Sequence, residues 1–323
     1  MVEDTMRLAV GQFSELTDER LQFIRQLGVK DLLMNTAVLP GEAQWEYMDL
    51  LHLRTRCEDA GLRLAALENV PVKFYNKAML GLSGRDEQIE HMATTIRNMG
   101  RAGVPILGYH WMPNSVWRTS RTTPGRGGVT VTSFDMELVK DAPLTHGRVY
   151  TADEMWANFE YYITAVLPVA EEVGVKLALH PDDPPVDSLG GIARIMSSFE
   201  GFKRAMAIGD SPNHGLDFCH GCWAEMGPGA LDAVRYFGER GKILYMHFRD
   251  VQGTVPCFQE CFVEEGNNDM FEVVKTLHEV GFTGFLIPDH VPHMADDTPW
   301  GHRARAYTIG YMKALLEVVN KLY

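Results

Sequence analysis

The sequence predicts an α/β chain folded as a single closed (β/α)8 barrel, and three observations carry that expectation. Short apolar, β-rich runs alternate with longer amphipathic stretches from one end of the chain to the other, the pattern of strand, crossover helix and next parallel strand. Eight such runs can be counted. No G-x-G-x-x-G fingerprint follows the first, so an open dinucleotide-binding sheet fits less well than a barrel, whose usual size this chain matches.

The runs are MRLAVGQF (6–13), DLLMNT (31–36), RLAALEN (63–69), PILGYHW (105–111), KLALH (176–180), HGLDFC (214–219), ILYMHF (243–248) and GFLIPDH (284–290). Between them TDERLQFIRQLG, EAQWEYMDLLHLRTRCEDAG, RDEQIEHMATTIRNMGRAG and DMFEVVKTLHEVG place apolar residues at three-to-four spacing and end on glycine, as helices do. HRARAYTIGYMKALLEVVNKLY supplies the eighth helix. The reading is one domain over 1–323 with no internal repeat beyond the barrel's own alternation. Segment 112–150 breaks the rhythm: it is rich in Gly, Thr and Arg and lacks a helical period. A long loop insertion after the fourth strand falls on the face where barrel active sites lie, so it is expected to be a lid or a substrate-binding excursion.

Composition narrows the function classes. With 46% hydrophobic and 23% charged residues the chain can bury a sizeable core. A net charge of -13 argues against nucleic acid or an anionic membrane as partner. No leader-like amino terminus or membrane-length apolar run is present, and five scattered cysteines suit a reducing compartment. The expectation is a cytoplasmic protein acting on a small molecule, with a homodimer or higher homo-oligomer left open.

In a barrel the carboxyl ends of the strands converge on one rim. The last residues of runs five to eight are His180, Cys219, His247 and Asp289, each a metal-ligand type. Any one of them alone would read as a core residue; four on consecutive strands read as a metal site. Two imidazoles, a thiolate and a carboxylate suit one divalent ion of the Mn2+, Fe2+, Co2+ or Zn2+ kind better than Mg2+ or Ca2+. The rival grouping, a four-cysteine zinc site from Cys219, Cys222, Cys257 and Cys261, would leave His180, His247 and Asp289 unexplained.

Around the ion, Glu68, Tyr109, His110 and Arg118 are candidate substrate-binding groups. Arg118 and Arg249 carry the fork geometry that captures a carboxylate, and Arg249 also counts as a catalytic candidate. His290 is either a partner of the ligand Asp289 or an acid/base group. Asp182 and Asp183 are expected to orient their loop or fix the tautomer of His180, and Trp111, Trp117 and Trp300 to wall the pocket.

Taken together, ENVPV (68–72), TIRNMGRAGV (95–104), GYHWMP (108–113), VWRTSR (116–121), HPDDPP (180–185), LDFCHG (216–221), HFRDVQGT (247–254), NDMFEVVKTL (268–277) and IPDH (287–290) resemble the mannonate dehydratase family. The resemblance implies a metal-dependent hydro-lyase converting D-mannonate to 2-keto-3-deoxy-D-gluconate, with manganese the usual ion. It matches His180, Cys219, His247 and Asp289 to the family's ligand positions and implies an acid/base role for His290. It also sets His302, in WGHRARAY, where the family carries a catalytic tyrosine, and His110 where an asparagine is common. His302 or Tyr307 is then the expected partner of His290. The alternatives are a metal-dependent sugar isomerase or epimerase, and a non-catalytic sugar-acid binder.

Overall fold

The computed structural model describes residues 5–323, so the first four residues of the expected 1–323 span lie outside the described residues. In chain order the strands are β1 (Arg7–Val10), β2 (Asp31–Asn35), β3 (Arg63–Glu68), β4 (Ile106–Tyr109), β5 (Ser120–Pro124), β6 (Thr130–Asp135), β7 (Lys176–Leu179), β8 (Ser188–Leu189) and β9 (Ile192–Ala193). They continue with β10 (His214–Cys219), β11 (Ile243–His247), β12 (Val251–Thr254), β13 (Cys257–Glu260) and β14 (Phe285–Ile287). β1, β2, β3, β4, β7, β10, β11 and β14 close a parallel barrel in that order, β14 pairing back onto β1. The eight runs read from the sequence are these eight strands.

Helices follow each barrel strand, and their ends show why the chain turns where it does. The Thr17 side chain caps Asp18–Gln26, Ser198 caps Phe199–Ile208, and Thr151 forms a reciprocal box with Glu154 at the start of Ala152–Val173. Gly103 and Gly174 end their helices at φ 76° and 71°, the left-handed region that glycine enters without strain. The main core lies between barrel and helices, while Ala9, Leu33, Ala66, Leu244, Tyr245 and Ile287 fill the barrel's own interior. Among the described residues no helix is long and apolar enough to cross a membrane.

Segment 112–150, expected as a lid or substrate-binding loop, carries secondary structure of its own. It folds into the β5–β6 hairpin, which joins the β12–β13 hairpin in an antiparallel sheet of order β12-β13-β6-β5. Phe134, Phe258, Val251, Val186 and Leu189 pack beneath it. In TVTSFD Val131 and Phe134 are buried, three residues apart and so on opposite faces of the strand, a spacing that gives no clean period of two to read from the sequence.

Candidate functional site

Strand register sets the floor of the site. Cys219 stands opposite His247, and His247 opposite Ile287; Asp289 comes two residues later, on the same side by alternation. His180 follows β7 directly, its amide bonded to the Tyr109 carbonyl at 2.8 Å. The His180 and His247 rings lie 5.2 Å apart. Ligand atoms of Cys219, His247 and Asp289 fall within 4.8 Å of one another, as do those of His180, Cys219 and Cys222.

Three observations fit these side chains to a cation. His247 presents Nε2 to Glu68 Oε2 at 2.7 Å, while its buried Nδ1, 3.6 Å from Asp289 Oδ2, has no hydrogen-bond partner. His180 gives Nδ1–H to the Pro181 carbonyl at 2.6 Å, which leaves Nε2 as its lone-pair nitrogen. Burial opposes ionisation of Cys219, but hydrogen bonding with Cys222, the Arg249 charge and the two imidazoles outweigh it and hold the thiol well below its ordinary range. The donor set is therefore strongly negative. Burial disfavours the His180 imidazolium, yet Asp217 and Cys219 still push its pKa up to about 10, as expected of a centre that lacks positive charge.

Above this floor lies a cavity of about 510 Å³ that Glu68, His110, Arg118, His180, His247, Asp289 and His290 all line. Glu68 is held by Tyr245, Gln12 and Asn35, with Asn35 Nδ2 at 2.9 Å and the Tyr245 hydroxyl at 3.2 Å. His110 accepts the Met112 amide at Nδ1, 3.1 Å away, so its Nε2 carries the proton. Burial, with His180 and Arg194 nearby, pushes its pKa down to about 3 and keeps the ring neutral. His290 meets Glu260 at 2.8 Å through Nδ1, which turns Nε2 to the cavity, 3.8 Å from Asp289 Oδ2.

Four of the expected catalytic and substrate-binding residues are not at the cavity. Tyr109 points outward and meets His214 Nε2 at 2.9 Å. Gly108 is the inward position of β4, where a Cβ would collide with the Tyr245 hydroxyl and lie 2.9 Å from Glu68 Cγ. Arg249, 2% exposed, sits behind the floor, with Asp289 and Glu225 at 3.0 Å, Glu260 at 3.0 Å and Asp183 at 3.1 Å. His302 opens the last helix on its outer flank, between the Phe23 and Trp300 rings at 4.7 Å and 2.6 Å from Glu19. Tyr307 lies further along that helix, 40% exposed and bonded to Glu264.

Arg118 lines the cavity but is not free to capture a carboxylate, since Asp183 and Glu260 already grip it. Asp183 serves this cluster and Asp182 bonds the Met196 amide at 2.7 Å, so the His180 tautomer is fixed by the Pro181 carbonyl instead. Trp111 and Trp117 do not line the cavity; Trp300 does, its N–H donated to the Gly11 and Gln12 carbonyls at 3.2 Å. The four-cysteine grouping does not form: Cys257 is exposed and Cys261 bonds the Asp250 carbonyl.

Sequence reasoning missed Asp217, Gln12, Asn35, Glu260 and Arg305. Asp217 was within reach, because two residues before Cys219 on the same strand must face the same way; it lies 3.3 Å from His247 Nε2. Gln12 and Asn35 are the last residues but one of the first two runs, where the same strand-end logic applies. Glu260 and Arg305 carry no such signal, since β13 belongs to the added sheet and Arg305 to a helix.

Comparison with known proteins gives a consistent result. The family model described as D-mannonate dehydratase matches residues 6–149 and 144–323. Mannonate dehydratase 2 of Halalkalibacterium halodurans is 31% identical over 93% of each chain, and the mannonate dehydratase of Thermotoga maritima 30% identical over 98% of this chain and 99% of its own. The crystal structure of mannonate dehydratase from Streptococcus suis serotype 2 superposes with a TM-score of 0.90 at 31% identity, covering 98% of this chain and 94% of that one. A D-tagatose 3-epimerase-like protein, at 17% identity and a TM-score of 0.64 over 98% of this chain and 99% of its own, shares the fold.

Proposed function

This chain belongs to the D-mannonate dehydratase family, and on that footing we propose that it is a metal-dependent hydro-lyase that removes water from D-mannonate to give 2-keto-3-deoxy-D-gluconate. The observation that carries the reading is the floor of His180, Cys219, His247 and Asp289, where the buried His247 Nδ1 is left without a hydrogen-bond partner beneath a cavity lined by polar side chains. The mixed nitrogen, sulfur and oxygen set suits a borderline divalent ion, with Mn2+ the assignment and Fe2+, Co2+ or Zn2+ the substitutes. When bound there, the ion supplies Lewis acidity for the enediolate charge that develops when C2 loses its proton.

The chain's own residues divide the remaining work. Glu68 holds His247 at Nε2, fixing which nitrogen faces the floor, and Gln12, Asn35 and Tyr245 in turn hold Glu68. His290 exchanges the C2 proton at Nε2, because Glu260 occupies Nδ1. The C3 hydroxyl, hydrogen-bonded by the neutral His110 Nε2–H, leaves as water with the proton that His290 took from C2 and hands on to it. Trp300 cannot share in proton transfer, its N–H being spent on two carbonyls; it closes the cavity wall against water. The substrate is a small sugar acid, the setting proposed is the cytoplasm, and a homo-oligomer is compatible with the reading.

Incubating metal-reconstituted protein with D-mannonate and recording product mass tests this. A 2-keto-3-deoxy acid, lighter than substrate by one water, is expected. A product of unchanged mass would favour isomerisation or epimerisation, and binding without turnover of any aldonic acid would reduce the protein to a binder.

A further inference from the structure

A sugar acid brings a carboxylate into the cavity, and the two arginines best placed by sequence to receive it are already neutralised: Arg118 by Asp183 and Glu260, Arg249 by Asp183, Glu225, Glu260 and Asp289. Arg305 differs. Of the three buried arginines among the described residues, Arg194 has Asp182 at 3.8 Å and Arg249 has its four carboxylates, whereas Arg305, 6% exposed, has no carboxylate within ion-pair distance. Its Nε donates to the Trp300 carbonyl and its Nη1 to the Pro288 carbonyl, both at 3.0 Å. Nη2 has no acceptor among the described residues, and the guanidinium lies 4.9 Å from the Trp300 ring centroid, on the cavity lining.

A buried guanidinium that has no carboxylate at ion-pair distance, only the more distant charges of Asp289 and Asp297, is costly to maintain. Two carbonyls fix its plane and aim the remaining N–H groups at open space, so the cost of ordering the cation is met before any ligand arrives. We propose that Arg305 is the carboxylate anchor of the cavity, receiving the acid group of the substrate and leaving its hydroxylated carbons over His290. The Pro288 carbonyl it grips immediately precedes Asp289, so the same guanidinium sets the position of the loop that carries Asp289 and His290. Burial pushes Arg305 down to about 10, and it stays cationic at neutral pH. The exposed Arg121 also borders the cavity, but no hydrogen bond or ion pair among the described residues fixes its direction.

This assignment rests on the sugar-acid reading, and the test separates the two. The holoenzyme and its Arg305→Lys, Arg305→Met and Arg121→Gln variants are compared for kcat and KM with D-mannonate and for inhibition by D-mannitol, the neutral polyol that lacks the carboxylate. Arg305→Met should lose about a hundredfold in kcat/KM for the acid, with the mannitol inhibition constant changed less than about threefold. Arg305→Lys, which keeps the charge and is the variant to rely on should methionine prevent folding, should lose about tenfold. Unchanged KM in both variants, equal losses for acid and polyol, or a larger loss in Arg121→Gln would each overturn the assignment. If the parent protein turns over no aldonic acid, the functional reading itself falls; if it turns over D-mannonate and the Arg305 variants keep its KM, only the anchor falls.

Discussion

Replacing Arg249 by methionine removes one of two cations from a buried cluster in which Arg118 and Arg249 face Asp183, Glu225, Glu260 and Asp289. The methionine stem fills much of the same volume, so the cost is mainly electrostatic. Breaking a buried, hydrogen-bonded ion pair costs about 3–5 kcal/mol, a large share of a total stability of about 5–15 kcal/mol, and for a chain of this length lowers Tm by roughly 5 °C. The pH dependence has a definite sign. Burial raises the pKa values of Asp183, Glu260 and Asp289, but neighbouring cations, Arg249 among them, outweigh it and hold all three below their ordinary values. Groups depressed in the fold contribute stability above their unfolded pKa of about 4 and lose it as pH falls further. The penalty of Arg249→Met should therefore be full at neutral pH and shrink below about pH 4. Urea unfolding at a series of pH values measures it. A loss under about 1 kcal/mol at neutral pH, or one that grows in acid, would refute the view of Arg249 as the counter-charge behind the floor.

Other expectations follow from the same contacts. His302→Ala and Tyr307→Phe should each leave kcat within about twofold, because neither side chain lines the cavity; a tenfold loss in steady-state assays of either would return it to the chemistry. Gly108→Ala drives a methyl group against the Tyr245 hydroxyl and Glu68, and should cost about 1–3 kcal/mol in thermal unfolding together with activity. His214, buried between Tyr109 and the Gly209 carbonyl, is pushed down by burial from 6.5 to about 4. Its share of stability, up to about 3 kcal/mol, is present above pH 6.5 and lost as pH falls through 4; a His214→Asn chain should show a shallower acid slope over that window, and an unchanged slope would contradict the burial.

The barrel was legible because each of its strands is a short apolar run bounded by a glycine-ended helix, and the rim rule then brought His180, Cys219, His247 and Asp289 together from positions more than a hundred residues apart. Tyr109 was misread for want of one step: in a strand with Gly108 facing inward, the next side chain must face out. His302 was placed by similarity to a motif, with Tyr307 as its alternative, and the segment WGHRARAY instead turns Trp300 and Arg305 to the cavity. Arg118 and Arg249 look like carboxylate receptors in isolation. Only the fold reveals Glu260, from a hairpin that sequence spacing does not tie to the rim, as the group that shares both with Asp183.

The most direct test of the account is activity measured against bound metal. Protein stripped with a chelator and titrated with Mn2+ should gain D-mannonate dehydration in proportion to ion bound, saturating at one ion per chain, and His180→Ala should lose both. Full turnover by the stripped protein, or a His180→Ala chain that keeps its metal and its rate, would contradict the claim that the four strand-end residues hold the ion on which the reaction depends.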